Sequence, residues 1–119
     1  MCVTARVGLA GLREAWKALE SKIPVKGRKF YGAFQHPDGP YRVCVAILPA
    51  DDPGRLGLER WLIPGGKYAS RKLLDWEEKT DRIGGILGEL GQENDRDASC
   101  PNIEYYRSER ELILLLPVK

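Results

Sequence analysis

A chain of 119 residues, 43% hydrophobic and 30% charged, has room for one ordinary globular domain spanning residues 1–119. Its 19 basic and 17 acidic residues interleave to a net charge of +2, which excludes the dense basic stripe of a strong nucleic-acid binder. Three cysteines without CxxC spacing and a single histidine, His36, argue against a disulfide framework and a zinc site.

No apolar run reaches the roughly 18 residues of a membrane helix. Residues 1–6 lack the order of charge and apolar stretch found in a signal peptide. The expected setting is cytoplasmic and reducing, with no cofactor or metal and no membrane contact.

In chain order, residues 1–8 read as a short strand with Val3, Ala5 and Val7 on one side. A helix follows: Leu12, Ala15, Trp16, Leu19 and Ile23 form one stripe, Arg13, Lys17 and Glu20 point away, and Pro24 closes it. The basic run 26–29 reads as a solvated loop. Segments 28–35 and 41–48 flank the turn-rich Pro37-Asp38-Gly39-Pro40 and predict a hairpin, with lone His36 solvated beside that turn. Segments 58–63 and 67–73 flank Pro64-Gly65-Gly66 and predict a second one.

A second helix starts at Trp76, with Asp75 as N-cap, Gly91 as C-cap, and Thr80, Ile83, Leu87 and Leu90 on its stripe. Gly84 and Gly85 weaken it by roughly 1 kcal/mol each relative to alanine. They mark either a close backbone approach or a break. Segments 103–108 and 111–118 form a last hairpin around 109–110. The run Leu112–Leu116 is apolar on both faces and needs cover on both sides.

This order predicts an α+β fold of two pseudo-symmetric βαββ halves. Their strands would join into one antiparallel sheet with both helices on one side and a concave pocket on the other. Cys44, inside an apolar strand, reads as an inert small hydrophobe. Trp16 and Trp76, on helix stripes, read as core.

Five motifs occur in register along almost the whole chain: Ala15-Trp16 with Leu19, Tyr41-Arg42-Val43-Cys44-Val45, Ile63-Pro64-Gly65-Gly66-Lys67-Tyr68-Ala69, Pro101-Asn102-Ile103-Glu104-Tyr105-Tyr106 and Leu116-Pro117-Val118. Together they resemble the GyrI-like small-molecule-binding domain, also found as the effector-binding half of bacterial transcription regulators. The usual domain is longer, mostly in the connections around both helices. The resemblance implies a pseudo-twofold α+β fold with a hydrophobic pocket around a glutamate, here Glu104. It further implies lipophilic, often cationic, aromatic ligands.

The residues themselves add a physical reason. From pattern alone Glu104 reads as a surface residue, as most glutamates are. Strand alternation puts it on one face with Tyr106, while Ile103 and Tyr105 take the other. A carboxylate among rings is poorly hydrated, and its charged form needs a cation or hydrogen-bond donors to compensate. A hydrophobic cation would gain Coulomb attraction to it and cation–π contact with nearby rings. Trp61, Tyr68, Tyr31 and Tyr41 are the further candidates for the pocket wall, against ordinary core packing for each.

Three functions follow. The first is a binding module that senses or sequesters an aromatic cation. The second, which the resemblance implies for some stand-alone members, is a hydrolase of cyclopropane-type electrophiles, with Glu104 as general base supported by Tyr68 or Tyr106. The third is an inhibitor acting through its surface on a protein partner. No helix-turn-helix pattern remains outside the domain, so direct DNA binding is not expected. A homodimer or a regulatory protein partner stays open.

Overall fold

A computed structural model describes residues 1–5, 9–23, 26–35, 40–108 and 110–119. The chain folds as α+β. Strand β1 (Cys2–Thr4) leads to helix α1 (Leu9–Lys22), then to strands β2 (Phe30–Phe34) and β3 (Tyr41–Val45). A single turn of helix, α2 (Pro53–Leu56), precedes strand β4 (Lys67–Leu74). Two 3-10 turns and helix α3 (Ile83–Glu93) then lead to strands β5 (Asn102–Tyr106) and β6 (Glu111–Val118).

All six strands form one antiparallel sheet in the order β1-β3-β2-β5-β6-β4. The register fixes which side chains share a face. Val3, Val43, Tyr41, Gly32, Glu104, Leu114 and Arg71 lie on one face, since each is paired with, or two residues from, the next. Both longer helices cover that face. Ala15 and Leu19 of α1, with Ile23 just after it, join Val43, Val45, Met1 and Leu58 in one buried cluster. Ile83, Ile86 and Leu87 of α3 pack against a second, Leu73, Leu112 and Leu114. Arg71 ties α3 to β4 through Glu89 at 2.8 Å and Glu93 at 3.0 Å.

Several expected elements take a different form. Segment 58–63 is not a strand. Leu58 enters the first core, Glu59 makes one bridge to Cys2, and β4 pairs with β6 instead. The reason is matched length: eight apolar-rich residues of β6 need an outer partner, and β4 supplies eight. The β1 segment pairs only at 2–4, with Val3 and Ala5 on the core; Val7 lies outside the described residues. The hairpin of β2 and β3 forms as expected, while 36–39, including His36, lie outside the described residues.

Asp75 caps nothing. It sits in the left-handed region at φ 53° and accepts from Arg110 Nε at 3.3 Å. Trp76 therefore starts a 3-10 turn rather than the helix, and the regular helix begins at Ile83. The Gly84-Gly85 pair belongs to its first turn, and a Cβ at either would meet nothing within 4 Å. The helix runs past Gly91 to Glu93, where Asn94 donates a side-chain bond back to the Leu90 carbonyl at 3.0 Å. Around 109–110, Ser108 Oγ accepts from the amides of Arg110 and Glu111, which closes the last hairpin.

Candidate functional site

On the helix face of the sheet, between α1 and the 3-10 turn Trp76–Glu78, lies a cleft of about 770 Å³. Trp16 of α1, Phe30 of β2, Trp76 and Tyr106 supply its aromatic surface. Their rings meet edge to face: Tyr106 lies 5.5 Å from Trp16 and 5.0 Å from Trp76, and Phe30 lies 6.2 Å from Trp16. Such contacts prefer this geometry because the positive ring edge meets the negative ring face. Trp76 is also fixed by its indole N–H, which donates to the Ser108 carbonyl at 3.1 Å.

Glu104 sits beneath Tyr106. Its Oε1 accepts two phenol bonds, from Tyr41 at 2.6 Å and from Tyr106 at 2.8 Å. Each ring arrives from a defined position. Tyr106 is two residues along β5, and Tyr41 reaches across β2 from β3 over Gly32, which is paired directly with Glu104. A Cβ at Gly32 would collide with the Tyr41 hydroxyl and come within 3.0 Å of Glu104 Oε1. Glycine in the middle of a strand is here a requirement of that close approach.

Burial comes first among the causes that push both phenols well above their ordinary value, with the Glu104 charge next. Tyr41 and Tyr106 therefore remain proton donors. Among the described residues no ion pair involves Glu104, and its Oε2 accepts no hydrogen bond.

The cleft rim carries both signs. Arg28 is paired with Asp51 at 2.6 Å and Arg107 with Glu111 at 3.7 Å, so both cations already have partners. Glu20 and Glu77 line the cleft without an ion pair among the described residues, opposed by Lys26. No group of three or more His, Cys, Asp or Glu gathers among the described residues in a way that would hold a metal ion. No helix among them is long and apolar enough to cross a membrane.

Of the six residues expected around a pocket, the structure joins Glu104, Tyr106 and Tyr41 by hydrogen bonds, and of these Tyr106 lines the cleft. Trp61, Tyr68 and Tyr31 belong to the other side of the sheet. Trp61 lies under Arg42, whose guanidinium carbon is 4.9 Å from the ring centroid. Arg42 alternates with Tyr41 and so points away from the helices. Tyr68 pairs with Pro117 on the same far face, and its hydroxyl donates to the Pro64 carbonyl at 2.6 Å, bracing the turn that Gly66 makes at φ 130°. Tyr31 stacks on Tyr105 at 4.8 Å. The cleft also opens on the helix side, over Phe30 of β2 and Tyr106 of β5, and not on the opposite face of the sheet.

Trp16 and Trp76, expected in the core, are half-buried and wall the cleft. Their size was the available signal, since tryptophan is seldom fully buried even on an apolar stripe.

No protein-family model and no curated protein sequence matches the chain. In fold it is similar to an integron cassette protein from the mobile metagenome of Vibrio cholerae, with a TM-score of 0.68 and 14% identity over 100% of this chain and 87% of that one. At that identity the likeness is one of fold.

Proposed function

We propose that this chain is a GyrI-like small-molecule-binding domain that holds an aromatic, cationic compound in the cleft between α1 and the 3-10 turn Trp76–Glu78. One observation carries the reading: a carboxylate with no ion pair among the described residues accepts from two phenols, one of which, Tyr106, walls an aromatic cleft. A charge in poorly hydrated surroundings gains most from an entering cation. Trp16, Trp76 and Tyr106 offer ring faces and edges to its aromatic part, and Glu20 and Glu77 add negative charge at the rim. The volume is in the range of small-molecule sites.

The strand order supports two related βαββ halves in this reading. Outward from the β2–β5 seam, one side runs β2, β3, β1 and the other β5, β6, β4. Each set is a strand, a helix and a hairpin in chain order. A pocket at the seam of two such halves is the arrangement the GyrI-like resemblance implies.

Titration with rhodamine 6G tests this. Quenching of Trp16 and Trp76 emission is expected, and Glu104→Gln should weaken binding by about tenfold or more, because a hydrogen bond or ion pair to a charged group contributes roughly 1.5–3 kcal/mol. A neutral aromatic of similar size should bind parent and variant alike. Equal rhodamine affinity in the variant would remove the charge-based account. Turnover of a cyclopropane electrophile that Glu104→Gln abolishes, with binding retained, would replace holding by hydrolysis.

A further inference from the structure

On the face away from the cleft, Cys2 of β1 lies directly opposite Cys44 of β3. The hydrogen-bond pattern says which kind of pair this is. Met1 and Val45 exchange both backbone bonds at 2.9 Å, while Cys2 turns its own amide and carbonyl outward to Glu59, at 2.8 and 3.1 Å. Cys2 and Cys44 are therefore a non-hydrogen-bonded pair, the kind whose Cα atoms approach to about 4.5 Å with side chains close. Disulfides accept Cα separations of about 4.4–6.8 Å. Both thiols are free, and only 1% and 5% of the two residues is exposed.

Their surroundings differentiate the two sulfurs. A hydrogen bond with the Cys44 thiol lowers the Cys2 thiol from its ordinary value, against burial and the Glu59 carboxylate and helped by the N-terminal amine and Arg42. The same bond, with burial, pushes Cys44 up. One thiol is thus the better nucleophile and its neighbour keeps its proton. Glu59 reaches Cys2 Sγ at 3.9 Å and Thr4 Oγ1 at 3.3 Å, so a carboxylate also borders the site.

We propose that Cys2 and Cys44 form a peroxide-oxidisable dithiol that closes into a cross-strand disulfide. Cys2 sulfur attacks hydrogen peroxide: an S–O bond forms, the O–O bond breaks, and the leaving hydroxide takes the Cys2 proton as water. Cys44 sulfur then attacks Cys2 sulfur. The S–S bond forms, the S–O bond breaks, and the second hydroxide leaves with the Cys44 proton as water. Two electrons pass from the thiols to one peroxide. Access comes from local opening of β1, which is three residues long and lies at the sheet edge.

The experiment treats the reduced, folded chain with hydrogen peroxide, then denatures it, alkylates free thiols and maps the peptides by mass. The expected product links Cys2 to Cys44, is lighter by two hydrogen atoms, leaves Cys100 alkylated and reverts with dithiothreitol. Cys100→Ser, which touches neither sulfur, should give the same product. In urea the link should form about tenfold more slowly or worse, because the register no longer holds the sulfurs together. Alkylated Cys2 and Cys44 after peroxide, a bridge to Cys100, or equal rates folded and unfolded would each overturn the proposal.

Discussion

At Glu104 the positions of three side chains decide what the site can do. The carboxylate keeps its place because two phenols donate to one of its oxygens, and they reach it because residue 32 has no side chain. Gly32→Ala should therefore cost about 1–3 kcal/mol, as overpacking does, and should also break the Tyr41 bond. Chemical denaturation together with dye titration checks both. The phenols also set an alkaline limit. Their folded-state values lie above the ordinary value near 10, so the folded protein holds protons that the unfolded chain gives up. Stability is then full below about pH 10 and falls as pH rises beyond it. A melting-temperature profile from pH 8 to 12 should show the decline, and Tyr41→Phe should flatten it; a parent profile level above pH 10 would contradict the assigned environment.

At the scale of elements, α3 is held by contacts at one side and weakened by its own sequence on the other. Ile83, Ile86 and Leu87 pack on the sheet, but Gly88 faces solvent, and a Cβ added there would meet nothing within 4 Å. Gly88→Ala should stabilise the protein by about 0.5–1 kcal/mol through lower unfolded-chain entropy and better helix propensity. Thermal melts read this directly. The loop after β3 is fixed differently: Asp51 accepts from the Leu48 amide at 2.8 Å and from Arg28 at 2.6 Å, and these bonds lower its carboxyl below the ordinary range, the Leu48 amide first. A depressed acid contributes stability above its unfolded value and loses it as pH falls through the folded one. Asp51→Asn should thus melt lower than the parent at pH 7, with the gap closing as pH falls below about 4.

For the whole molecule, the two faces of the sheet are unlike at its β4–β6 end. Leu114 is fully buried under α3, whereas Leu74 on the far face is 52% exposed. Leu114→Ala should cost about 2–5 kcal/mol and Leu74→Ala about 0.5 kcal/mol or less. Comparable losses at both positions would mean that something covers Leu74. The two proposed chemistries lie on opposite faces: Glu104 and the cleft on the helix side of the sheet, the Cys2–Cys44 pair on the other.

Much of the fold was legible from local pattern. The period of 3.6 in Ala15, Trp16, Leu19 and Ile23 and the alternation that pairs Glu104 with Tyr106 depend on nothing beyond a few neighbouring residues. Which strands pair is different. It is set by contacts between residues far apart in the chain, so β4 joined β6 rather than 58–63, and Glu59 went to Cys2. Register then decided the site. Within one strand the sequence says which residues share a face, but only cross-strand pairing says which faces of β3, β2 and β4 are continuous with that of β5. Tyr41 therefore came to Glu104, while Tyr31, Tyr68 and Trp61 went to the other side, and Cys2 met Cys44.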